Sequence, residues 1–168
     1  MIYMGVDIGG ATRNGICIID EKEHILYTNN IPFNAKAGGK GNHRRFVAAF
    51  IAKLVDEYNV DCLVIERVKM HRGSRLSKLD AIISLSKATG AIQDYNFNKC
   101  KIYDCETVSW KAQILGKRNA TKEDAINFVK SKYNIDVPHD QADAIGQALY
   151  LKRYLNKDDG KFHDITEI

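Results

Sequence analysis

Four acidic residues stand out by position. Asp7 closes an apolar run at the N-terminus, Glu66 closes a second apolar run, and Asp140 and Asp143 sit three residues apart in a C-terminal helical pattern. A spacing of i, i+3 puts the last two on one helix face. If the two runs are neighbouring strands, Asp7 and Glu66 emerge at one edge of a sheet, and a helix packed on that sheet can bring Asp140 and Asp143 to the same place. Clustered carboxylates repel and are costly to keep ionised unless cations neutralise them. Oxygen-only ligation suits Mg²⁺ or Mn²⁺ and disfavours zinc. Two such ions about 3.5–4 Å apart can activate a water and stabilise the leaving oxygen of a phosphodiester. A plainer account of the same residues stays open: a strand-terminal Asp can cap a turn, and Asp140 and Asp143 are favourable at a helix N-terminus.

The basic residues are segregated. Lys36, Lys40, Arg44 and Arg45 lie in one stretch without an acid, Arg67, Lys69, Arg72, Arg75 and Lys78 in a second, and Lys111, Lys117, Arg118 and Lys122 in a third. Charge runs are usually solvated surface. Three of them flanking one acidic pocket suggest instead a polyanion held against that pocket, with phosphates drawing on Lys and Arg. The loop Gly38-Gly39-Lys40-Gly41 lacks the spacing of a nucleotide P-loop, and at most its amides touch a phosphate.

The elements that must position these groups follow from periodicity. Ile2 to Asp7, Gly15 to Asp20 and His24 to Ile31 read as an antiparallel meander, with Gly9-Gly10 supplying the first turn. A helix is expected over Asn42 to Tyr58, whose Phe46, Phe50 and Leu54 repeat at i, i+4. Val60 to Glu66 reads as a strand buried on both faces. A helix from Ser74 to about Gln93, a strand from Lys101 to Cys105 and a short helix from Val108 to Leu115 come next. Thr121 with Asp124 resembles a capping box opening a helix to Tyr133, and a last helix runs from Pro138 to about Leu155. The expected fold is a mixed α/β sheet of five strands, the meander plus parallel strands, with helices on both faces. It occupies one domain over residues 1–156, followed by a short, polar, frayed tail at 157–168.

Length and composition agree. The chain of 168 residues is the size of one domain, and 45% apolar with 27% charged residues is a globular balance. The longest purely apolar run, Phe46 to Ala52, is far short of the ~20 residues that span a bilayer. Asp7 interrupts the N-terminus before a signal-peptide core forms. Cys17, Cys62, Cys100 and Cys105 show neither a Cys-x-x-Cys pair nor a zinc spacing, which reads as reduced core thiols and a cytoplasmic protein, with no membrane partner. The net charge of +4 names no partner by itself.

With these residues in view, the chain resembles the RuvC-type Holliday junction resolvases of the ribonuclease H-like superfamily. Val6-Asp7-Ile8-Gly9-Gly10 with Gly15-Ile16-Cys17-Ile18 looks like their opening strands, Ile65-Glu66-Arg67-Val68 like their second motif, and Ser86-Lys87-Ala88-Thr89-Gly90-Ala91 like the helix after it. Asp140-Gln141-Ala142-Asp143-Ala144-Ile145 resembles their closing helix. The resemblance implies a ribonuclease H-like fold, a homodimer, and Mg²⁺-dependent incision of four-way DNA junctions by two ions per site (Mn²⁺ substituting), leaving a 5′-phosphate and a 3′-hydroxyl. It makes Asp7, Glu66, Asp140 and Asp143 both metal ligands and catalytic groups. It also places the family's two lysines on Lys111 and Lys122, where they would stabilise developing negative charge. His139 reads as a cap or supporting group rather than a ligand.

One departure bears on specificity. Cellular members carry an aromatic wedge three residues after the Glu, where this chain has Lys69. That favours backbone-led binding of branched DNA, flaps and forks included, with relaxed sequence preference, and is similar to phage members of the family. The Ser74 to Gln93 helix, with Leu76, Leu79 and Ile83 on one face, is the expected dimer surface. Three other readings remain: a non-catalytic module that binds branched nucleic acid, a nuclease of structured RNA, and a kinase of the actin-like superfamily. For the last, Asp7 to Thr12 is similar to a phosphate loop, but the chain has room for only one of the two domains required.

Overall fold

A computed structural model of the chain describes residues 1–9, 13–32, 40–67, 86–94, 100–157 and 165–168, with residues 9, 13 and 40–44 entering as backbone only. The elements in chain order are β1 (Tyr3–Gly9), β2 (Arg13–Ile19), β3 (Ile25–Asn30), α1 (Lys40–Tyr58) and β4 (Cys62–Glu66). Residues 86–93 are helical and are called α2. Then follow β5 (Lys101–Cys105), α3 (Thr107–Leu115), α4 (Lys122–Tyr133), α5 (His139–Asn156) and β6 (Ile165–Glu167).

The strands form one sheet in the order β3-β2-β1-β4-β5-β6. The N-terminal meander pairs antiparallel, β1 with β4 and β4 with β5 pair parallel, and β6 returns antiparallel to β5. Side chains alternate across the sheet, and the two faces bury separate cores. Met4, Val6, Ile16, Ile18, Leu63 and Ile65 face α1 and α2, whose Val47, Ile51, Leu54, Ala88 and Ile92 cover them. Tyr3, Cys17, Ile19, Cys62, Val64 and Tyr103 face the other way, against Trp110 of α3, Val129 of α4 and a long buried stretch of α5. Helices on both faces are thus as expected, and the expected element boundaries hold to within two residues where both ends are described. The capping box at Thr121 is present in both directions: the Thr121 side chain accepts from the Asp124 N–H at 3.2 Å, and Asp124 Oδ2 accepts from the Thr121 N–H at 2.8 Å.

The strand count needs correction from five to six. The end of the chain is not a free tail: Ile165–Glu167 pairs with β5 in the register Cys105↔Ile165, Asp104↔Thr166, Tyr103↔Glu167. A three-residue strand is too short to show a period. What selects it is tertiary: Ile165 joins the Tyr103 core, Tyr103 Oη donates to Glu167 Oε2 at 3.0 Å, and the otherwise open edge of β5 gains a partner. Residues 74–85 of the expected dimer helix, including Leu76, Leu79 and Ile83, lie outside the described residues. Among those described, no helix is long and apolar enough to cross a membrane.

Candidate active site

Parallel pairing of β1 with β4 in the register Val6↔Ile65 puts Asp7 and Glu66 side by side at the carboxyl ends of adjacent strands. Alternation then decides their face. Asp7 shares the side of Tyr3 and Gly5, and Glu66 the side of Cys62 and Val64, so both carboxylates face α5 rather than α1.

The helix is held close by two glycines. A Cβ on Gly5 would lie 2.1 Å from the Ala144 carbonyl oxygen, and one on Gly15 would lie 1.9 Å from the carbonyl oxygen of Asp140. Gly15 is the residue paired with Asp7 across β1 and β2. The N-terminus of α5 therefore rests on the strand beside Asp7, which delivers Asp140 and, one turn on, Asp143.

Electrostatics show how near the four acids come. The Asp7 carboxyl is pushed well above the usual range, first by burial and then by the charges of Asp143, Glu66 and Asp140, with Lys122 opposing. Asp143 is pushed up to about 6, mainly by burial; Lys111 and His139 draw it down while Glu66 and Asp140 raise it. Burial raises Glu66 as well, against a hydrogen bond from Thr107 and the charge of Lys111. Asp140 is only 5% exposed, with Oδ1 2.8 Å from His139 Nε2. Asp143 Oδ1 is buried and has no hydrogen-bond partner among the described residues.

Among the described residues, no three carboxylate, imidazole or thiol side chains stand in a preassembled metal-ligand arrangement. The Thr107 hydroxyl takes up one oxygen of Glu66, and Asp140 Oδ1 lies 2.8 Å from His139 Nε2. The donor set nevertheless fits a hard divalent cation. It is all oxygen, it carries an orphaned buried acceptor on Asp143, and its charges are mutually destabilising in the way a bound cation would relieve.

This excess of buried negative charge has a measurable consequence. Asp143 ordinarily titrates near 3.8 and does so near 6 in the folded chain, so between those values the native state binds more protons than the unfolded one. Stability must then fall as pH rises through that window. In EDTA, Asp143→Asn should become progressively more stable than the parent from pH 4 to pH 6, by roughly 2–3 kcal/mol at the upper end. Urea melts of the two proteins across that range check it; curves that stay parallel would refute it.

The basic residues divide. Lys111 and Lys122 do lie at the acidic cluster, since their charges act on Glu66, Asp143 and Asp7. Lys111 Nζ donates to the Ala120 carbonyl at 3.0 Å and sits over the Trp110 ring, and Lys122 Nζ is 2.8 Å from His139 Nε2. His139 Nε2 lies within 2.8 Å of both Lys122 Nζ and Asp140 Oδ1. Arg67 is engaged inside the fold: its guanidinium donates to both Asp104 oxygens and to Thr166 Oγ1. Lys117 pairs with Asp124 at 3.0 Å, Arg118 is exposed beside it, and Arg45 is exposed on α1. Lys69, Arg72, Arg75 and Lys78 lie outside the described residues, as do the side chains of Lys40 and Arg44.

Sequence reasoning missed Thr107, whose hydroxyl donates to Glu66 Oε1. Its signal was present, because Thr107 precedes Lys111 by one helical turn and so shares its face.

Similarity to known proteins agrees with this geometry. The chain superposes on the Thermus thermophilus RuvC structure with a TM-score of 0.75, at 16% identity and covering 100% of both chains. It superposes on T. thermophilus RuvC in complex with a Holliday junction substrate with a TM-score of 0.77, at 16% identity, covering 100% of this chain and 99% of that one. The yeast mitochondrial Holliday junction resolvase Ydc2 matches at a TM-score of 0.61 and 12% identity, over 92% of this chain and 78% of that one. These likenesses show a shared, ribonuclease H-like fold. No curated protein matches by sequence. The profile of the crossover junction endodeoxyribonuclease RuvC matches residues 3–150, and with that span covered the chain belongs to the RuvC family.

Proposed function

We propose that this protein is a structure-selective endonuclease that binds four-way DNA junctions and other branched DNA and hydrolyses one phosphodiester per active site. The observation that carries the reading is the convergence of Asp7, Glu66, Asp140 and Asp143 at the carboxyl ends of β1 and β4, where Asp7 feels the charge of the other three. In this reading the four carboxylates hold two Mg²⁺ ions, for which Mn²⁺ substitutes. Bound there, the ions would supply activation of the attacking water and neutralisation of the leaving oxygen. The chain's own part is placement. The strand ends fix Asp7 and Glu66, α5 fixes the other pair, and Lys111 and Lys122 add positive charge beside the scissile phosphate.

Binding is assigned to Lys40, Arg44, Arg45, Lys69, Arg72, Arg75, Lys78, Lys117 and Arg118, drawn to phosphates rather than base edges. Arg67, occupied by Asp104 and Thr166, is left out of that set. Lys69 in place of an aromatic residue supports relaxed sequence preference. Two protomers would cut two strands, in the cytoplasm of a host cell if the enzyme is phage-borne.

The test uses synthetic four-way junctions and linear duplexes of the same sequence. Junctions should be nicked in Mg²⁺ and left whole in EDTA, with 5′-phosphate ends and little cutting of the duplex. Tight junction binding without scission in either Mg²⁺ or Mn²⁺ would establish a non-catalytic binding module instead.

A further inference from the structure

Glu66 is the last residue of β4, and a carboxylate at a strand end is free to turn unless something holds it. The start of α3 does so. The Arg67 N–H donates to the Cys105 carbonyl at 2.7 Å, and the Arg67 guanidinium bonds Asp104 and reaches Glu106 at 3.6 Å. The end of β4 is thereby tied to the turn that opens α3. From the first residue of that helix the Thr107 hydroxyl donates to Glu66 Oε1, across 41 residues of sequence.

That bond is not a by-product of helix capping. The N-cap of α3 is Glu106, which makes no side-chain cap bond, and Thr107, as the first residue of the helix, has no preceding helical turn whose carbonyl its hydroxyl could bond. The Thr107 hydroxyl turns to the half-buried carboxylate of Glu66 instead. Its branched Cβ restricts χ1, and the bond favours the ionised form of Glu66. Lys111, one turn along the same face, favours that form as well.

We propose that Thr107 is a positioning residue for Glu66: by occupying Oε1 it fixes the orientation of the carboxylate and leaves the other oxygen open to a divalent cation. The assignment rests on the metal-dependent reading above and adds a residue to it. Thr107 touches neither DNA nor cation in this scheme, so its loss acts through Glu66 alone. Partners that orient metal ligands in this way are commonly worth about 10–100-fold in metal affinity or activity.

The experiment compares the full chain with Thr107→Val, which keeps the branched shape and removes the donor, and with Thr107→Ser, which returns it. Mn²⁺ alone, without DNA, is titrated and followed by electron paramagnetic resonance of the free ion. T107V should need about tenfold more Mn²⁺ and should cut four-way junctions about 10–100-fold more slowly at saturating DNA, with junction affinity in EDTA unchanged. T107S should recover to within about threefold of the parent in both measurements. Should T107V melt early in EDTA, Thr107→Ala replaces it as the donor-free variant. A donor-free variant that takes up Mn²⁺ like the parent, or a T107S as impaired as T107V, overturns the assignment. A parent that binds Mn²⁺ but leaves junctions intact would refute the nuclease reading, and a shifted T107V titration would still uphold Thr107.

Discussion

Replacing Asp7 by Asn is expected to abolish junction cleavage and, in EDTA at neutral pH, to make the protein more stable. Both effects have one cause. Asp7 is half-buried beside Asp143, Glu66 and Asp140, and each of these raises the free energy of its ionised form. The amide keeps the shape of the carboxylate and removes its charge, so the metal-free protein sheds that repulsion and melts at a higher temperature. The same change deletes an anionic ligand from the centre of the cluster. Transition-state stabilisation by metal at such a site is worth several kcal/mol, which sets the loss of rate at no less than about 10³-fold. Junction affinity in EDTA should hold or improve, because a negative charge has left a phosphate-binding cleft. A D7N protein that cuts at the parental rate would strip Asp7 of its role. One that loses both activity and stability would mean that Asp7 is structural.

Gly15→Ala should cost about 3 kcal/mol or more of stability and weaken the site with it. The added methyl would lie 1.9 Å from the Asp140 carbonyl oxygen, 2.3 Å from its carbon and 2.8 Å from the Gln141 nitrogen. All three are backbone atoms, so no rotamer change relieves the overlap, and the start of α5 must move off β2. Overpacking of this kind costs about 1–3 kcal/mol, occasionally more. What distinguishes this position from an ordinary core site is its neighbour: Gly15 pairs with Asp7, so lifting α5 there separates Asp140 and Asp143 from Asp7. Gly90 of α2 is the control, since a Cβ at that position meets no atom of the described residues within 4 Å. Gly90→Ala should leave cleavage unchanged and stabilise the helix by up to about 1 kcal/mol. Melting curves and junction cleavage of the two variants decide the matter. A G15A protein that melts and cuts like the parent would show that α5 is not seated as described.

These two positions show how differently parts of the site could be read from the chain. Asp7 was legible because a carboxylate ending an apolar run at the N-terminus is chemically conspicuous, and Glu66 for the same reason. Asp140 and Asp143 were legible through helical spacing. Gly15 was visible only as a residue of a strand, since its importance lies in the closeness of a helix more than a hundred residues later. Thr107 was passed over because a hydroxyl has no charge to mark it, and Arg67 was grouped with DNA-binding residues because a charge run does not reveal that Asp104 and Thr166 stand beside one of its members. The last strand escaped notice because three residues carry no period, and only the open edge of β5 makes them a strand.

The sequence by itself determined the local elements and the kind of chemistry available: where apolar periodicity sets strands and helices, that four acids close or open them, and that basic residues gather in stretches that hold no acid. Those properties depend on neighbours a few residues away. Tertiary structure alone decided which face of β1 and β4 meets α5, how closely Gly5 and Gly15 let it approach, which oxygen of Glu66 Thr107 occupies, and how far burial and like charge lift the carboxyls of Asp7 and Asp143. Those quantities depend on distances between segments far apart in the chain, and chain order does not encode distance until the two cores have packed on either side of the sheet.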